Sequence, residues 1–119
     1  MLKFTEDHEW LRAEGDEITV GITAHASEQL GDVVFIELPE EGREVAAGEE
    51  VVVIESVKAA SDITAPVAGV ITAVNAALAE TPGDVNADPM AAWFFKITPS
   101  DAGAMDGFLD EAAYQALIG

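Results

Sequence analysis

GEEVVVIESVKAASDITAPVAGVI, residues 48–71, decides the fold, because a run so rich in valine, isoleucine and alanine reads as core strand and yet holds a lysine near its middle. Along 51–57, Val51, Val53, Glu55 and Val57 point one way in a strand, and Val52, Ile54 and Ser56 the other. Both sets are largely apolar, which predicts a strand covered on both faces. A protonated lysine buried there would carry a large desolvation cost, and no neighbour in sequence offers an obvious fixed partner. Lys58 is therefore expected to escape burial at a turn, where Ala59, Ala60 and Ser61 leave space around it. No Asn-Gly or Asp-Gly marks a tight hairpin at Val57-Lys58, so local turn propensity alone does not place the bend.

The segments on either side are also mainly β. HEWLRAEGDEITVGI, residues 8–22, reads as a hairpin turning at Gly15-Asp16, with Trp10 on one arm and Ile18, Val20 and Ile22 alternating on the other. Residues 23–32 read as a short helix with Thr23 as N-cap and Gly31 as stop. DVVFIEL resumes the strand pattern, and Pro39 to Gly42 turn it. Strand signals return over 69–75 and 93–98, and Asp110 is a candidate N-cap for a terminal helix over 111–118 with Tyr114 and Leu117 packed on the body. Trp10, Phe35, Phe94 and Phe95 are candidate core residues, and Trp93 core or rim. Pro99 to Gly107, small and polar, is the candidate mobile connection. Short strands at close spacing predict a mainly β barrel or sandwich, organised as a single domain over residues 1–119.

Composition narrows the function. Twenty-three acidic residues against five basic ones give a formal net charge of -18, which repels phosphate backbones and anionic lipid surfaces. Neither nucleic acid nor a membrane is an expected partner. No apolar run approaches the roughly 20 residues of a membrane span, and no signal sequence is read at the start. The expected location is the cytoplasm of a bacterium, or a mitochondrial matrix if a transit peptide has been removed. The absence of cysteine excludes disulfides, thiolate metal sites and a cysteine nucleophile. His8 and His25 lack the spacing of a zinc pair, and no metal site is expected.

Glycine ten residues before Lys58, glycine eleven after it, and Pro66 three before that second glycine resemble the biotinyl and lipoyl carrier fold, a barrel-sandwich hybrid with its modified lysine at a hairpin tip. ESVKAASDI, residues 55–63, is similar to the lipoylation motif of the glycine cleavage system H-protein family. DHEW at 7–10, VGIT at 20–23, LGDVVFIELPEEG at 30–42, PVAGVI at 66–71, VN at 74–75, VNADP at 85–89 and Trp93 resemble that family in the same order. One departure is Met90-Ala91-Ala92, where the family usually carries an aromatic residue and glycines in a loop one residue longer.

The resemblance implies a barrel-sandwich hybrid with one short internal helix and a C-terminal helix. It implies lipoate joined by an amide to Lys58, with Glu55, Ser56, Val57 and Ala59 as the motif read by a lipoate ligase or lipoyltransferase. It further implies a non-catalytic, monomeric shuttle. In that scheme glycine decarboxylase, the P protein, loads an aminomethyl group, and the aminomethyltransferase, or T protein, removes it. Dihydrolipoamide dehydrogenase, the L protein, then reoxidises the dithiol. A loaded amine is a cation, so Glu9 and Asp62, with Asp7 behind them, are candidates for a pocket that holds it.

Other readings remain. A biotin carboxyl carrier flanks its lysine with methionines, where Val57 and Ala59 stand here. A lipoyl domain of a 2-oxo acid dehydrogenase places Asp before its lysine. An unmodified interaction module would leave Lys58 an ordinary exposed side chain, and a lipoyl relay would donate its prosthetic group to other enzymes.

Overall fold

The computed structural model describes residues 2–100 and 107–118. Among the described residues nine strands, β1 (Leu2–Phe4), β2 (Glu9–Glu14), β3 (Glu17–Ile22), β4 (Val33–Glu37), β5 (Glu44–Val45), β6 (Glu50–Ser56), β7 (Ala60–Thr64), β8 (Gly69–Val74) and β9 (Phe95–Pro99), are interrupted by short helices. These helices are α1 (Ala24–Leu30), α2 (Ala76–Glu80), α3 (Asp84–Ala87) and the terminal α4 (Glu111–Ile118). One sheet runs β1-β2-β3-β9-β8-β5 and the other β4-β6-β7, all pairs antiparallel. Residues from both sheets, among them Val20, Ile36, Ile54, Ile71 and Ile97, form one buried apolar cluster. Each contributes about 1.5–3 kcal/mol on burial. This is the barrel-sandwich arrangement, with three short helices inside the chain where one was expected.

The hairpin at Gly15 forms in the register Leu11↔Val20, Ala13↔Ile18, and Gly15 takes the positive φ of 60° that its turn requires. Trp10 lies opposite Gly21, and a Cβ there would stand 2.4 Å from the indole ring, so the strand approaches the ring only because residue 21 has no side chain. Thr23 caps α1 through the Ala26 N–H, and Asp110 caps α4 through the Ala113 N–H.

Several side chains sit elsewhere than their sequence pattern suggests. Phe35 is exposed rather than core, because β4 bulges between Val33 and Phe35 and turns Val34 and Phe35 both outward. A register shift near the start of β6 buries both Val51 and Val52, whereas Val53 is half-buried and Glu55 exposed. The strand is thus covered on both faces only at its root and opens toward the tip. On α4, Tyr114 is buried but Leu117 is exposed, and Ile118 packs in its place one helical turn on. Trp10, Phe94 and Phe95 are core, and Trp93 is half-buried with the Lys96 ammonium over its ring. The Met90-Ala91-Ala92 segment is a turn tied to β2: Trp10 donates to the Pro89 carbonyl, Arg12 to that of Met90, and Ala92 is buried. In the candidate mobile connection, residues 101–106 lie outside the described residues.

Candidate functional site

The β6–β7 hairpin bends at Val57-Lys58-Ala59, and Ser56 makes the bend. Its hydroxyl accepts from the Lys58 and Ala59 N–H groups, at 3.3 and 3.1 Å, and donates to the Ala59 carbonyl at 3.0 Å. A serine turn of this kind supplies the order that an Asn-Gly pair would otherwise give. The Val57 N–H donates across to the Asp32 carbonyl at 3.0 Å, which fastens the tip to the segment between α1 and β4.

Lys58 is exposed, and neither of the two ion pairs found among the described residues involves it. Its methylene stem lies over Gly31, where a Cβ would stand 3.1 Å from Cε. Gly31 has φ 76° and ψ −158°, a conformation open essentially to glycine alone. Asn86 holds this support in place: it donates to the Gly31 carbonyl at 2.8 Å and to Ser27 at 3.3 Å, and accepts from the Val33 N–H at 2.9 Å. Around the tip, Val34, Phe35 and Val57 are exposed, and Glu55 pairs with Phe35 across the strands on the outer face.

Gly31 ends the helix whose flank walls a cleft of about 180 Å³. Apolar side chains of Ile22, Ala26, Leu30, Ile54 and Ile63 line it on one hand, and Asp7, His8, Glu9, Gln29, Ser61 and Asp62 on the other. The three carboxylates singled out from sequence thus share one cavity, with Glu9 buried and Asp7 and Asp62 exposed. Thr5 shapes this corner. Its hydroxyl accepts from the Asp7 and Glu9 N–H groups and donates to the Glu9 carboxylate, each at 3.2 Å. Sequence reasoning passed over Thr5, although a threonine two residues before an aspartate is an ordinary turn signal.

Burial pushes the Glu9 carboxyl up to about 7, against the lowering effect of the Thr5 hydrogen bond; Asp7 adds to the rise and a Thr64 backbone hydrogen bond opposes it. Glu9 therefore holds its proton more tightly than an exposed carboxyl does, and a cation entering the cleft would favour its ionised form. His8 and His25 do come together, with ring centroids 4.6 Å apart. No group of three or more His, Cys, Asp or Glu among the described residues could hold a metal ion.

The model of the glycine cleavage H-protein family matches residues 2–119. The chain belongs to that family. A glycine cleavage system H protein 2 from Pseudomonas aeruginosa is 57% identical over 118 residues, covering 98% of this chain and 92% of its own. A glycine cleavage system H protein from Phenylobacterium zucineum is 54% identical over 118 residues, covering 98% of both. The crystal structure of a glycine cleavage system H protein from Mycobacterium marinum superposes with a TM-score of 0.88 at 39% identity, covering 99% of this chain and 96% of that one. H proteins are the lipoyl carriers of the glycine cleavage system, and membership of that system implies P, T and L proteins as partners. No helix among the described residues is long and apolar enough to cross a membrane.

Proposed function

We propose that Lys58 carries lipoate in amide linkage and that residues 1–119 act as one monomeric, non-catalytic carrier domain in the cytoplasm. The observation that carries this reading is the exposed lysine on a hairpin tip, its stem lying over Gly31 at the end of the helix that walls a carboxylate-lined cleft. The residues present fit the group. Ser56 fixes the tip for a lipoate ligase or lipoyltransferase, Glu55, Val57 and Ala59 flank the acceptor, and acylation removes a charge that an apolar tunnel would otherwise have to desolvate. When bound, the lipoyl group would supply a dithiolane that accepts an aminomethyl group from the P protein, yields it to the T protein and is reoxidised by the L protein.

The chain's own residues hold the cargo between visits. A protonated amine favours carboxylates, and Glu9, Asp62 and Asp7, which line one cavity, would receive it, with the ionised form of Glu9 favoured as the cation arrives. Walls such as Ile54 and Leu30 limit water beside it. Exposed Val34, Phe35 and Val57 around the lysine, with acidic Glu55 nearby, support a docking face for tunnel mouths that are apolar and basic at the rim. Tethering then raises the effective concentration of the reactive end at each docked partner.

The test combines two assays on lipoylated protein. Stimulation of glycine–bicarbonate exchange by added glycine decarboxylase is expected, and a lipoylated protein that gives none while donating lipoate to another enzyme would be a relay instead. The Glu9→Ala, Asp62→Ala double variant is expected to lose the loaded amine faster, and an unchanged lifetime removes the pocket assignment.

A further inference from the structure

The cleft wall beside Glu9 holds an imidazole that the carrier reading does not use. His8 sits at φ 67° in the turn between β1 and β2, half-buried, and its Nδ1 lies 2.9 Å from the hydroxyl of Tyr114 on α4. That hydroxyl is also 2.7 Å from Oγ1 of Thr23, the buried N-cap of α1. One oxygen of the terminal helix thus links His8, which lines the cleft, to the N-cap of α1.

The polarity of this chain follows from its far end. Thr23 Oγ1 already accepts from the Ala26 N–H at 3.4 Å. Among the described residues its own hydroxyl hydrogen has only Tyr114 as acceptor. Were Tyr114 to donate to Thr23, a buried hydroxyl hydrogen would be left without a partner. Thr23 therefore donates to Tyr114, and Tyr114 donates to His8 Nδ1, which must then be unprotonated. We propose that this chain from Thr23 through Tyr114 holds His8 as the neutral Nε2–H tautomer, making Tyr114 a positioning residue that keeps positive charge off the wall beside Glu9.

The groups facing His8 bear on its charge from several sides. The His25 ring packs against it from α1, with Gln29 bonded to the His25 Nε2. Asp7 precedes it and Glu9 follows it in the turn, and Asp62 on β7 lines the same cleft. Burial lowers the His8 pKa, His25 lowers it further and Asp7 raises it, a balance that leaves it below its ordinary value and agrees with the hydrogen-bond polarity. A neutral His8 leaves the carboxylates' negative charge uncompensated, so an ammonium is held and not repelled. This consequence for amine retention rests on the carrier reading above; the tautomer does not.

Nitrogen and carbon NMR of the imidazoles in the lipoylated protein tests both parts. The wild type is expected to show His8 as the Nε2–H form at pH 7. Tyr114→Phe keeps the ring stacked on Phe4, 4.7 Å away, but removes the donor. It should raise the His8 titration midpoint by about half to one unit. Thr23→Ser retains the hydroxyl and should leave the midpoint where it was. The loaded amine in Tyr114→Phe should be lost several-fold faster at pH 6 and at the wild-type rate at pH 8. An Nδ1–H tautomer, a midpoint unmoved in Tyr114→Phe, or a lifetime shortened equally at both pH values would overturn the proposal. If Glu9→Ala leaves the lifetime unchanged as well, the failure lies with the cleft's carrier role, and the imidazole spectra still decide the tautomer.

Discussion

Replacing Glu9 by glutamine in the unlipoylated protein separates one carboxyl from twenty-two others. Burial raises the Glu9 pKa from 4.5 to about 7. The folded state therefore holds this proton more tightly than the unfolded chain, and stability falls as pH rises from about 4.5 toward 7. At about 1.4 kcal/mol per unit, the ionised carboxyl costs the fold up to about 3 kcal/mol at pH 8 that is absent at pH 4.5. Glutamine keeps the shape and can still accept from the Thr5 hydroxyl, but never ionises. Urea unfolding of both proteins at pH 4.5 and pH 8 should show Glu9→Gln gaining on the wild type by about 2–3 kcal/mol between the two. Taking the difference between the proteins cancels the contribution of the remaining acids, which weaken both alike as they ionise. A stability difference independent of pH would show that Glu9 is ordinary, and the account of a proton released to an arriving cation would fall with it.

Other perturbations probe the scaffold. Ser56→Ala removes three hydrogen bonds at the tip and should slow lipoylation, followed by intact mass over time, at a stability cost of about 1 kcal/mol. Phe35→Ser, at an exposed position, should change the unfolding free energy by no more than about 0.5 kcal/mol, whereas Phe94→Ala in the core should cost about 3–5 kcal/mol. Gly21→Ala forces a Cβ into the Trp10 ring and should cost about 1–3 kcal/mol by the same denaturation assay, with altered Trp10 fluorescence.

Periodicity was informative where contacts are local. The Gly15 hairpin and the caps at Thr23 and Asp110 rest on turn and capping chemistry carried within a few residues, and each forms as its residues dictate. Phe35 misleads because a bulge spends one residue of alternation, and nothing in DVVFIEL marks it. The helices α2 and α3 are too short, at five and four residues, for a helical period to emerge. The cost of burying its charge puts Lys58 at a turn, but the bend itself is legible only through resemblance; its maker, Ser56, sits in a valine-rich strand pattern with no Gly, Pro or Asn beside it. Thr5 was open to local reading, whereas Asn86 and Tyr114 act across 55 and 106 residues of chain, on Gly31 and His8 respectively, a distance at which one sequence carries no signal. The grouping of Asp7, Glu9 and Asp62 came from motif resemblance, and the cavity they share required the fold.

The most direct test is the intact mass of the protein after expression with lipoate and a lipoate ligase. A single lipoyl increment on the wild type that vanishes in Lys58→Ala is the predicted result. A wild type without the increment, an increment that persists in Lys58→Ala, or a biotinyl increment in its place would contradict it.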